Sequence, residues 1–400
     1  MPQCGNRQQP GEDECKNVLD EAAWQARRSL FPILRTTRYV AACSQGPLST
    51  RVEGAMARFM DSWRSIGNPW EQEWIPTVMR AADRFAQLIN APPSSIGVTT
   101  SVSAALVTML SALDFSERPK VIASALDFPT LPDILLAHRQ KGLIELDILP
   151  EQNGEIPFEA YERAVDGRTG LVCLSSASYA TGALFPIQKV AELSRARGAL
   201  CLVDAFQTMG ALKLDVCQVK PDFVITGTLK YVLGTQGAAL MYIAPELAPG
   251  LEPTAIGWMA AADPFGTNFD RLEYAAGAAR FQGDTFGIAS CYAADTALEL
   301  LAEIGIDAIE QRVVWLTRRF INGLEEIGVR PNGPTTDGKV GPMVAVPVSG
   351  DAHEWQERLR HEEAIVTAAR GNALRFAFHF YNDGSDVDAC LDVVKRCLRS

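Results

Sequence analysis

The chain has 400 residues, enough for two or three domains around a large buried core. Hydrophobic residues make up 47% and charged residues 21%, as in ordinary globular enzymes, and no apolar run reaches the ~18 residues needed to cross a bilayer. The formal net charge of -11 argues against nucleic acid as the main partner, because displacing counterions requires a basic excess.

The first 20 residues are polar and acidic. They contain no apolar core like that of a signal peptide, so we expect a flexible arm on a cytoplasmic protein that does not act at a membrane. Nine cysteines occur without any CxxC pair, so the sequence indicates neither a metal site nor a disulfide framework. Reduced thiols in a cytosol are the simplest interpretation.

Strand and helix patterns alternate through the middle of the chain. Helical patterns cover much of residues 21–89, and the apolar runs that follow predict strands starting near Ile96, Val121, Leu143, Gly170, Leu200 and Phe223. This alternation predicts a mostly parallel sheet with helices on both faces. Ligands bind such sheets at the carboxyl ends of the strands, so the polar residues at those ends are the candidates for a site.

The first strand runs into a helix through small hydroxyl residues. The segment 96–103 precedes a helical pattern over 104–113. Free backbone N–H groups and the helix dipole favour an anion there, so Ser101, Ser103 and the backbone of Val102 are candidates to hold a phosphate. The alternative is that Ser103 only caps the helix. Nucleotide binding is poorly supported, because neither GxGxxG nor a P-loop lysine is present.

Aromatic residues follow two later strands. Phe128 comes just after the strand 121–124, where its ring can stack on a flat cofactor, and core packing is the alternative. Tyr179 lies in the loop after the strand 170–174, where its phenol can relay a proton, and a capped turn is the alternative.

A lysine and a carboxylate follow two neighbouring strands. Lys230 lies in DFVITGTLKYVLGTQG, where a strand-end crevice would disfavour its charge and leave an amine able to form a Schiff base. An exposed loop lysine is the alternative. One strand earlier an apolar run ends in Asp204, with Gln207 three residues later. Asp204 can pair with the protonated nitrogen of pyridoxal phosphate (PLP), and Gln207 can donate to its phenolic oxygen.

The order of an aspartate, an amide three residues on and a lysine at Lys230 resembles the class V aminotransferase family of PLP enzymes. This family includes cysteine desulfurases, selenocysteine lyases, kynureninases and isopenicillin N epimerase. The resemblance is carried by VDAFQTMGALKLDV, DFVITGTLKYVLGTQGAALMY, IGW and ARFQGDTF, and it covers the chain from about residue 30 to the end.

The resemblance implies an α/β protein of PLP fold type I. A large domain with a mostly parallel seven-stranded sheet would be joined by a small α+β C-terminal domain. The implied divisions are an arm over 1–20, a segment over 21–75 that joins the small domain, a large PLP-binding domain over 76–295 and the small domain over 296–400.

The resemblance also assigns roles to the candidates. Lys230 would bind PLP as an internal aldimine, Thr228 would contact the cofactor, and Tyr179 would lie near both the phenolic oxygen and the substrate. Phe128 stands in an FPT setting similar to that of kynureninases. Arg375, in LRFAFHFYN, matches the arginine that binds the substrate carboxylate through its guanidinium fork, and an exposed strand arginine is the alternative.

A homodimer with active sites at the subunit interface is implied as well. Trp258 and Thr285 would reach across that interface, the threonine to the phosphate of the other subunit. Asp284 stands where relatives have glycine and Gln282 where they often have glutamate, and a negative side chain near a phosphate is unfavourable. Trp258 is alternatively a buried interface aromatic.

The implied activity is chemistry on an α-amino acid through an external aldimine. Cysteine desulfurases carry a nucleophilic cysteine ahead of the small-domain arginine, whereas HEEAIVTAARGNAL has none. We therefore expect a lyase that acts by β-elimination, of carbon–sulfur lyase type, with an aminotransferase or epimerase of the same family as the alternative. A non-catalytic scaffold and a nucleotide-binding α/β enzyme are alternatives from other classes, and the intact Lys230, Asp204 and Arg375 argue against the scaffold.

Overall fold

The computed structural model describes residues 20–266, 270–283 and 285–397. The α-helices are α1 (Glu21–Arg28), α2 (Thr50–Ile66), α3 (Ile75–Leu88), α4 (Val102–Leu110), α5 (Thr130–Gln140), α6 (Phe158–Ala164), α7 (Ile187–Arg197), α8 (Val216–Val219), α9 (Ile288–Ile304), α10 (Ile306–Glu326), α11 (Ala352–Glu362) and α12 (Gly384–Cys397). The strands are β1 (Arg38–Tyr39), β2 (Ile96–Thr99), β3 (Lys120–Ser124), β4 (Glu145–Leu149), β5 (Thr169–Ser175), β6 (Leu200–Asp204), β7 (Phe223–Gly227), β8 (Ala239–Ile243), β9 (Met343–Pro347), β10 (Ile365–Val366), β11 (Ala368–Arg370) and β12 (Ala373–Ala377).

Seven strands form the central sheet, in the order β2-β8-β7-β6-β5-β3-β4. β8 runs antiparallel to both of its neighbours, and the other pairs are parallel. The prediction of an α/β fold with a mostly parallel seven-stranded sheet is confirmed. The carboxyl ends of β5, β6 and β7 therefore lie side by side, and the loops that follow them meet at one edge.

The central strands are buried on both faces. On β6, Cys201 and Val203 belong to one hydrophobic core, whereas Leu202 packs into a second core on the opposite face. Successive side chains of a strand point to opposite faces, so a strand covered on both sides reads as a continuous apolar run. Burial on both faces therefore explains why these strands appear in the sequence as continuous apolar runs.

The C-terminal part of the chain builds a smaller α+β unit. β11, β12 and β9 form an antiparallel sheet in that order, and this sheet packs with α10 and α12 around a separate core that includes Phe320 and Phe376. β12 is paired on both of its edges, and the segment after it contacts the loop after β7 through His379 and Tyr231.

The N-terminal segment contacts both parts. β1 pairs with β10 of the smaller unit, and Arg28 of α1 forms an ion pair with Asp386 of α12. In contrast, α2 and α3 pack against α9. The predicted domain divisions stay predictions, and residues 1–19 of the predicted arm lie outside the described residues.

Within the described ranges, no helix combines the length and the apolar character that a membrane span requires. The same ranges hold no group of three or more His, Cys, Asp or Glu side chains placed to hold a metal ion.

Candidate active site

A cavity of about 310 Å³ opens at the carboxyl ends of β6 and β7. The sequence-predicted residues that line it are Ser101, Val102, Ser103, Phe128, Asp204, Gln207, Lys230 and Arg375. They come from five separate segments of the chain and from both the central sheet and the smaller unit. For the residues of the central sheet this convergence follows from the shared direction of β2, β3, β6 and β7, whose carboxyl ends lie at one edge, whereas Arg375 comes from the antiparallel sheet.

Lys230 lies at the centre of this cavity, three residues after the end of β7. The residue is only 9% exposed, and its Nζ lies 4.0 Å from the ring centroid of Phe206 and 5.4 Å from that of Phe128. Burial lowers the pKa of Lys230 to about 8, although the nearby Asp204 carboxylate acts in the opposite direction. Mildly alkaline pH therefore yields a neutral amine, the form that forms a Schiff base.

Asp204 ends β6 beside Lys230. Its Oδ1 accepts a hydrogen bond from the backbone N–H of Phe206 at 2.9 Å. Burial raises the pKa of Asp204 to about 6, more than the hydrogen bond and the Lys230 charge lower it. The carboxyl group is thus ionised at neutral pH but poorly solvated, and a cationic ring nitrogen would stabilise it.

Gln207 carries a buried polar atom without a partner. Its Nε2 donates to the carbonyl oxygen of Cys43 at 3.3 Å, whereas Oε1 has no hydrogen-bond partner. Buried polar atoms are nearly always paired in folded proteins. The orphaned oxygen can accept a hydrogen bond from a ligand, and the predicted donation from Gln207 to the phenolic oxygen stays a prediction.

The start of α4 forms one wall of the cavity. The Ser101 side chain accepts a hydrogen bond from the N–H of Ala104 at 3.1 Å and caps the helix. The capping role considered for Ser103 thus falls to Ser101. The backbone amides of Val102 and Ser103 lie in the first turn, where N–H groups lack intrahelical acceptors and attract anions. This wall suits a phosphate group.

Phe128 and Tyr179 are in ring contact, and of these two residues Phe128 lines the cavity whereas Tyr179 does not. Their ring centroids are 5.2 Å apart in an edge-on arrangement. Phe128 is 36% exposed, so its ring is not packed into the core. The turn that carries it is fixed by Asp127, whose buried carboxylate accepts hydrogen bonds from both Ser124 and Ser175 and ties the ends of β3 and β5 together.

Arg375 reaches the cavity from the middle of β12. It is 4% exposed, which excludes the alternative of an exposed strand arginine. Its Nη1 donates to the carbonyl oxygen of Tyr179 at 3.0 Å, while its buried Nε has no partner. Tyr179 therefore contacts Arg375 through its main chain and Phe128 through its ring. A guanidinium held in this way is ready for a carboxylate.

Three predicted cofactor residues lie elsewhere. The Thr228 hydroxyl donates to the Thr235 carbonyl oxygen at 2.7 Å and thereby braces the loop after Lys230. The Trp258 Nε1 donates to Thr285 Oγ1 at 3.1 Å, in a separate surface cavity. Their predicted roles stay predictions, and Asp284 lies outside the described residues.

Phe206 was not foreseen as a site residue. Its ring lines the cavity against Gly227, where an added Cβ would come within 2.4 Å of the ring. A glycine at the end of β7 is therefore required for this ring position. The signal was present in the sequence, because Phe206 stands between the two candidates Asp204 and Gln207.

His379 was also not identified from the sequence, and it contacts the main chain of Tyr231, the residue after Lys230. It is fully buried and its Nε2 lies 2.8 Å from the carbonyl oxygen of Tyr231, while its Nδ1 accepts from the N–H of Phe380. Burial lowers the pKa of His379 to about 4, so the ring is neutral and Nε2 is the donor. No local sequence pattern marks this contact, because it joins segments far apart in the chain.

The hairpin ahead of Arg375 is as short as a hairpin can be. Arg370 pairs directly with Ala373, so the turn consists of Gly371 and Asn372 alone, with Gly371 at a φ of +56°. A two-residue turn leaves no loop that could carry a nucleophilic side chain into the cavity. The missing cysteine of the sequence thus corresponds to a missing loop in the structure.

The residues present fit PLP. The cavity combines a buried lysine amine, a strand-end carboxylate for the ring nitrogen, an aromatic ring at the mouth and an anion-binding helix start. Gln207 Oε1 and Arg375 Nε are buried without a hydrogen-bond partner, so the oxygen can accept a hydrogen bond from a ligand and the nitrogen can donate one. Lys230, Asp204, Phe128 and the start of α4 are the groups that would hold the cofactor.

Comparisons with known proteins agree with this geometry. The family model described as Aminotransferase class-V matches residues 64–390. An uncharacterized aminotransferase of Bacillus subtilis, YcbU, is 33% identical over 369 residues, with 92% of this chain and 96% of the relative covered. A probable cysteine desulfurase of Pyrococcus abyssi is 26% identical and covers 79% of this chain and 82% of its own length.

The fold also has relatives among solved structures. The apo structure of a cysteine desulfurase from Thermococcus onnurineus superimposes with a TM-score of 0.82 at 21% identity, and the match covers 93% of this chain and 97% of the other. At this identity the likeness shows the shared fold.

Proposed function

The chain belongs to the class V aminotransferase family of PLP-dependent enzymes, and from that premise we propose that it is a lyase that removes a sulfur-linked group from Cβ of an α-amino acid. The observation that carries the proposal is the placement of Lys230 and Arg375 on one cavity whose neighbouring hairpin has no room for a nucleophilic cysteine. Lys230 can act as the base and Arg375 can bind the α-carboxylate, whereas the hairpin carries no cysteine that could accept sulfur.

When bound, PLP supplies an electron sink that acidifies the Cα–H bond of an attached amino acid. Arg375 would hold the α-carboxylate with its buried guanidinium and so fix which bond of Cα faces the base. The amine of Lys230, whose pKa is lowered to about 8, would then take the α-proton. Asp204 would pair its carboxylate with the ring nitrogen and so keep the electron sink effective.

Elimination needs no further nucleophile. The α-proton leaves to Lys230, the Cβ–S bond breaks, and the sulfur departs with the electron pair and takes up a proton as a thiol. Hydrolysis of the resulting enamine gives a 2-oxo acid and ammonia. The probable cysteine desulfurase among the relatives supports chemistry at a carbon–sulfur bond, and the two-residue hairpin supports a route without a persulfide on that hairpin.

Amino transfer is the second candidate. It is favoured by the 33% identity to a protein named as an aminotransferase, and it uses the same lysine, aspartate and arginine. The two reactions differ in their products, since transfer passes the amino group on to a keto acid and elimination releases it as ammonia.

The test is product analysis with purified PLP-loaded protein and S-substituted L-cysteines, without an added keto acid. The proposal predicts thiol, 2-oxo acid and ammonia in equal amounts over many turnovers, and their loss in Lys230→Ala. Lys213→Ala is the matched control, because Lys213 is an exposed lysine paired with Asp307. Conversion of the cofactor to its pyridoxamine form, with no thiol released, would favour the aminotransferase instead.

A homodimer is part of the proposal. Trp258 and Phe265 are both exposed and their rings are in edge-on contact, next to Trp70 and the hydrogen bond to Thr285. Large exposed aromatic groups of this kind are typical of interfaces. Sedimentation of the PLP-loaded protein tests the proposal, and Trp258→Ala with Phe265→Ala is expected to weaken self-association.

A further inference from the structure

Arg370 is a second guanidinium group on the wall of the cavity. Its guanidinium carbon lies 5.1 Å from the ring centroid of Tyr179 and 5.9 Å from that of Phe128. It lines the same cavity as Lys230 and Arg375. Unlike the buried Arg375, Arg370 is exposed, so its charge is available to a ligand that enters from solvent.

The hairpin register places the two arginines on one face of the small sheet. Arg370 is paired with Ala373, and Arg375 lies two positions beyond Ala373 on the same strand. Cross-strand partners share a face, as do residues two apart in a strand, so Arg370 and Arg375 are diagonal neighbours about 7–8 Å apart at the backbone. The opposite face, with Ala369 and Leu374, packs into the core of the smaller unit.

The charges on the cavity wall are unbalanced. Among the described residues, the ion pairs include neither Arg370 nor Arg375, and the one carboxylate on the wall is Asp204 beside Lys230. Both arginines act on Lys230 in the same direction and help to lower its pKa. A cavity lined in this way favours ligands with more than one negative group.

One α-carboxylate accounts for only one of the two guanidinium groups. Arg375 is the better anchor for it, because the residue is buried, is oriented by the Tyr179 carbonyl oxygen and has an unpaired Nε. Arg370 is exposed on the same cavity, where its guanidinium lies over the rings of Tyr179 and Phe128. A fork of this kind binds a second carboxylate or a sulfur oxyanion.

We propose that Arg370 binds an anionic group at the end of the substrate side chain, so that the enzyme selects α-amino acids with a second negative charge beyond Cβ. The inference rests on the proposed function and narrows it to S-substituted cysteines whose sulfur substituent carries a carboxylate. A neutral side chain would leave the Arg370 charge without an anionic partner.

The test compares two substrates of nearly equal shape, S-carboxymethyl-L-cysteine and S-carbamoylmethyl-L-cysteine, which differ by a carboxylate and an amide. With the PLP-loaded enzyme, we expect kcat/KM for the acid to exceed that for the amide at least about tenfold, the effect of one hydrogen-bonded charge pair. Arg370→Gln should abolish the preference through KM, and Arg370→Lys should restore part of it. Arg168→Gln, at an exposed arginine paired with Glu145, is the control.

A binding measurement separates this inference from the reaction type. Calorimetry with L-glutamate and L-glutamine needs no turnover and is expected to show tighter binding of glutamate, lost in Arg370→Gln. If the enzyme binds glutamate more tightly than glutamine but releases no thiol from S-substituted cysteines, the lyase proposal is refuted and the anion site at Arg370 is retained. The inference would be overturned, even if elimination is observed, by either of two results. The wild-type enzyme does not distinguish the acid from the amide in either pair of compounds, or Arg370→Gln keeps the wild-type preference for the acid.

Discussion

The Nε2 atom of His379 lies 2.8 Å from the carbonyl oxygen of Tyr231, the residue that follows Lys230. The bond joins the segment after β12 to the loop after β7, so it ties the smaller unit to the main chain that carries the lysine. Leu229 is held from the other side, because its carbonyl oxygen accepts the N–H of Gly46 at 2.7 Å. The lysine is thus positioned through the backbone on both sides of it.

His379 makes the free energy of unfolding sensitive to acid. Its pKa is about 4 in the folded chain and near 6.5 when unfolded, so the unfolded state binds more protons between these values. The contribution of neutral His379 to stability is fully present above pH 6.5 and is lost as the pH falls toward 4, by about 3 kcal/mol. In His379→Gln, which keeps an N–H donor, we expect a shallower loss over this range.

Denaturant unfolding of both proteins at a series of pH values measures this difference. His353→Gln, at an exposed position at the start of α11, serves as the control and is expected to follow the wild type. Identical pH profiles for wild type and His379→Gln would show that the buried ring does not titrate as described.

The contact of Phe206 with Gly227 predicts a coupled pair. Gly227→Ala would place a Cβ within 2.4 Å of the ring and push it into the cavity, so we expect PLP to bind at least about tenfold more weakly. Phe206→Ala should relieve the clash, and the two changes together should give a coupling energy of about 1–3 kcal/mol in cofactor binding. Absorbance titration with PLP measures all four proteins. Strictly additive effects would contradict the contact.

The lowered pKa of Lys230 predicts how fast the cofactor-free protein captures PLP. Only the neutral amine attacks an aldehyde, so the rate should rise with pH around a midpoint near 8 rather than near the 10.5 of an ordinary lysine. Arg375→Gln should move the midpoint upward, since the Arg375 charge helps to lower this pKa. Rapid mixing with PLP at pH 6–10 gives the profile, and a rate still rising steeply above pH 9.5 would exclude the proposed environment.

Asp204 is expected to reduce the stability of the cofactor-free protein. Burial raises its pKa to about 6, so the folded state binds more protons than the unfolded state between pH 3.8 and 6. Stability therefore falls as the pH rises through this window, and the deficit of about 2–3 kcal/mol persists at pH 7.5. Asp204→Asn should remove the deficit while it abolishes turnover, because an amide does not keep a ring nitrogen protonated.

Thermal and denaturant unfolding of the cofactor-free wild type and Asp204→Asn at pH 7.5 test whether Asp204 lowers the free energy of unfolding. Asp392→Asn, at an exposed position of α12, is the matched control. A less stable Asp204→Asn protein would mean that the carboxylate is stabilised by contacts in the folded chain.

The central sheet and the core of the site could be predicted from the sequence for a physical reason. Parallel strands are buried on both faces, so they appear as apolar runs, and Asp204 and Lys230 stand out as charged residues placed at or just after the ends of such runs. Arg375 was identified through the family resemblance of LRFAFHFYN, and the structure places it on the cavity.

The remaining site residues depend on contacts that no local pattern encodes. His379 meets Tyr231 across 148 positions, and Arg370 reaches the cavity because a two-residue turn fixes its register against β12. The Thr228 hydroxyl donates to the loop carbonyl of Thr235, and the cofactor contact that the resemblance implies for Thr228 stays a prediction. Chain neighbours of a site residue serve either the ligand or the scaffold, and only the fold distinguishes them.

The most direct test of the whole account is to find where PLP attaches. Purified protein is loaded with PLP, its visible spectrum is recorded, and the cofactor is fixed by borohydride before peptide mass analysis. We predict a visible band in wild type and in Lys213→Ala, its absence in Lys230→Ala, and the added cofactor mass on the peptide that contains Lys230. A band that persists in Lys230→Ala, or a label on another lysine, would contradict the assignment of Lys230 as the residue that holds the cofactor.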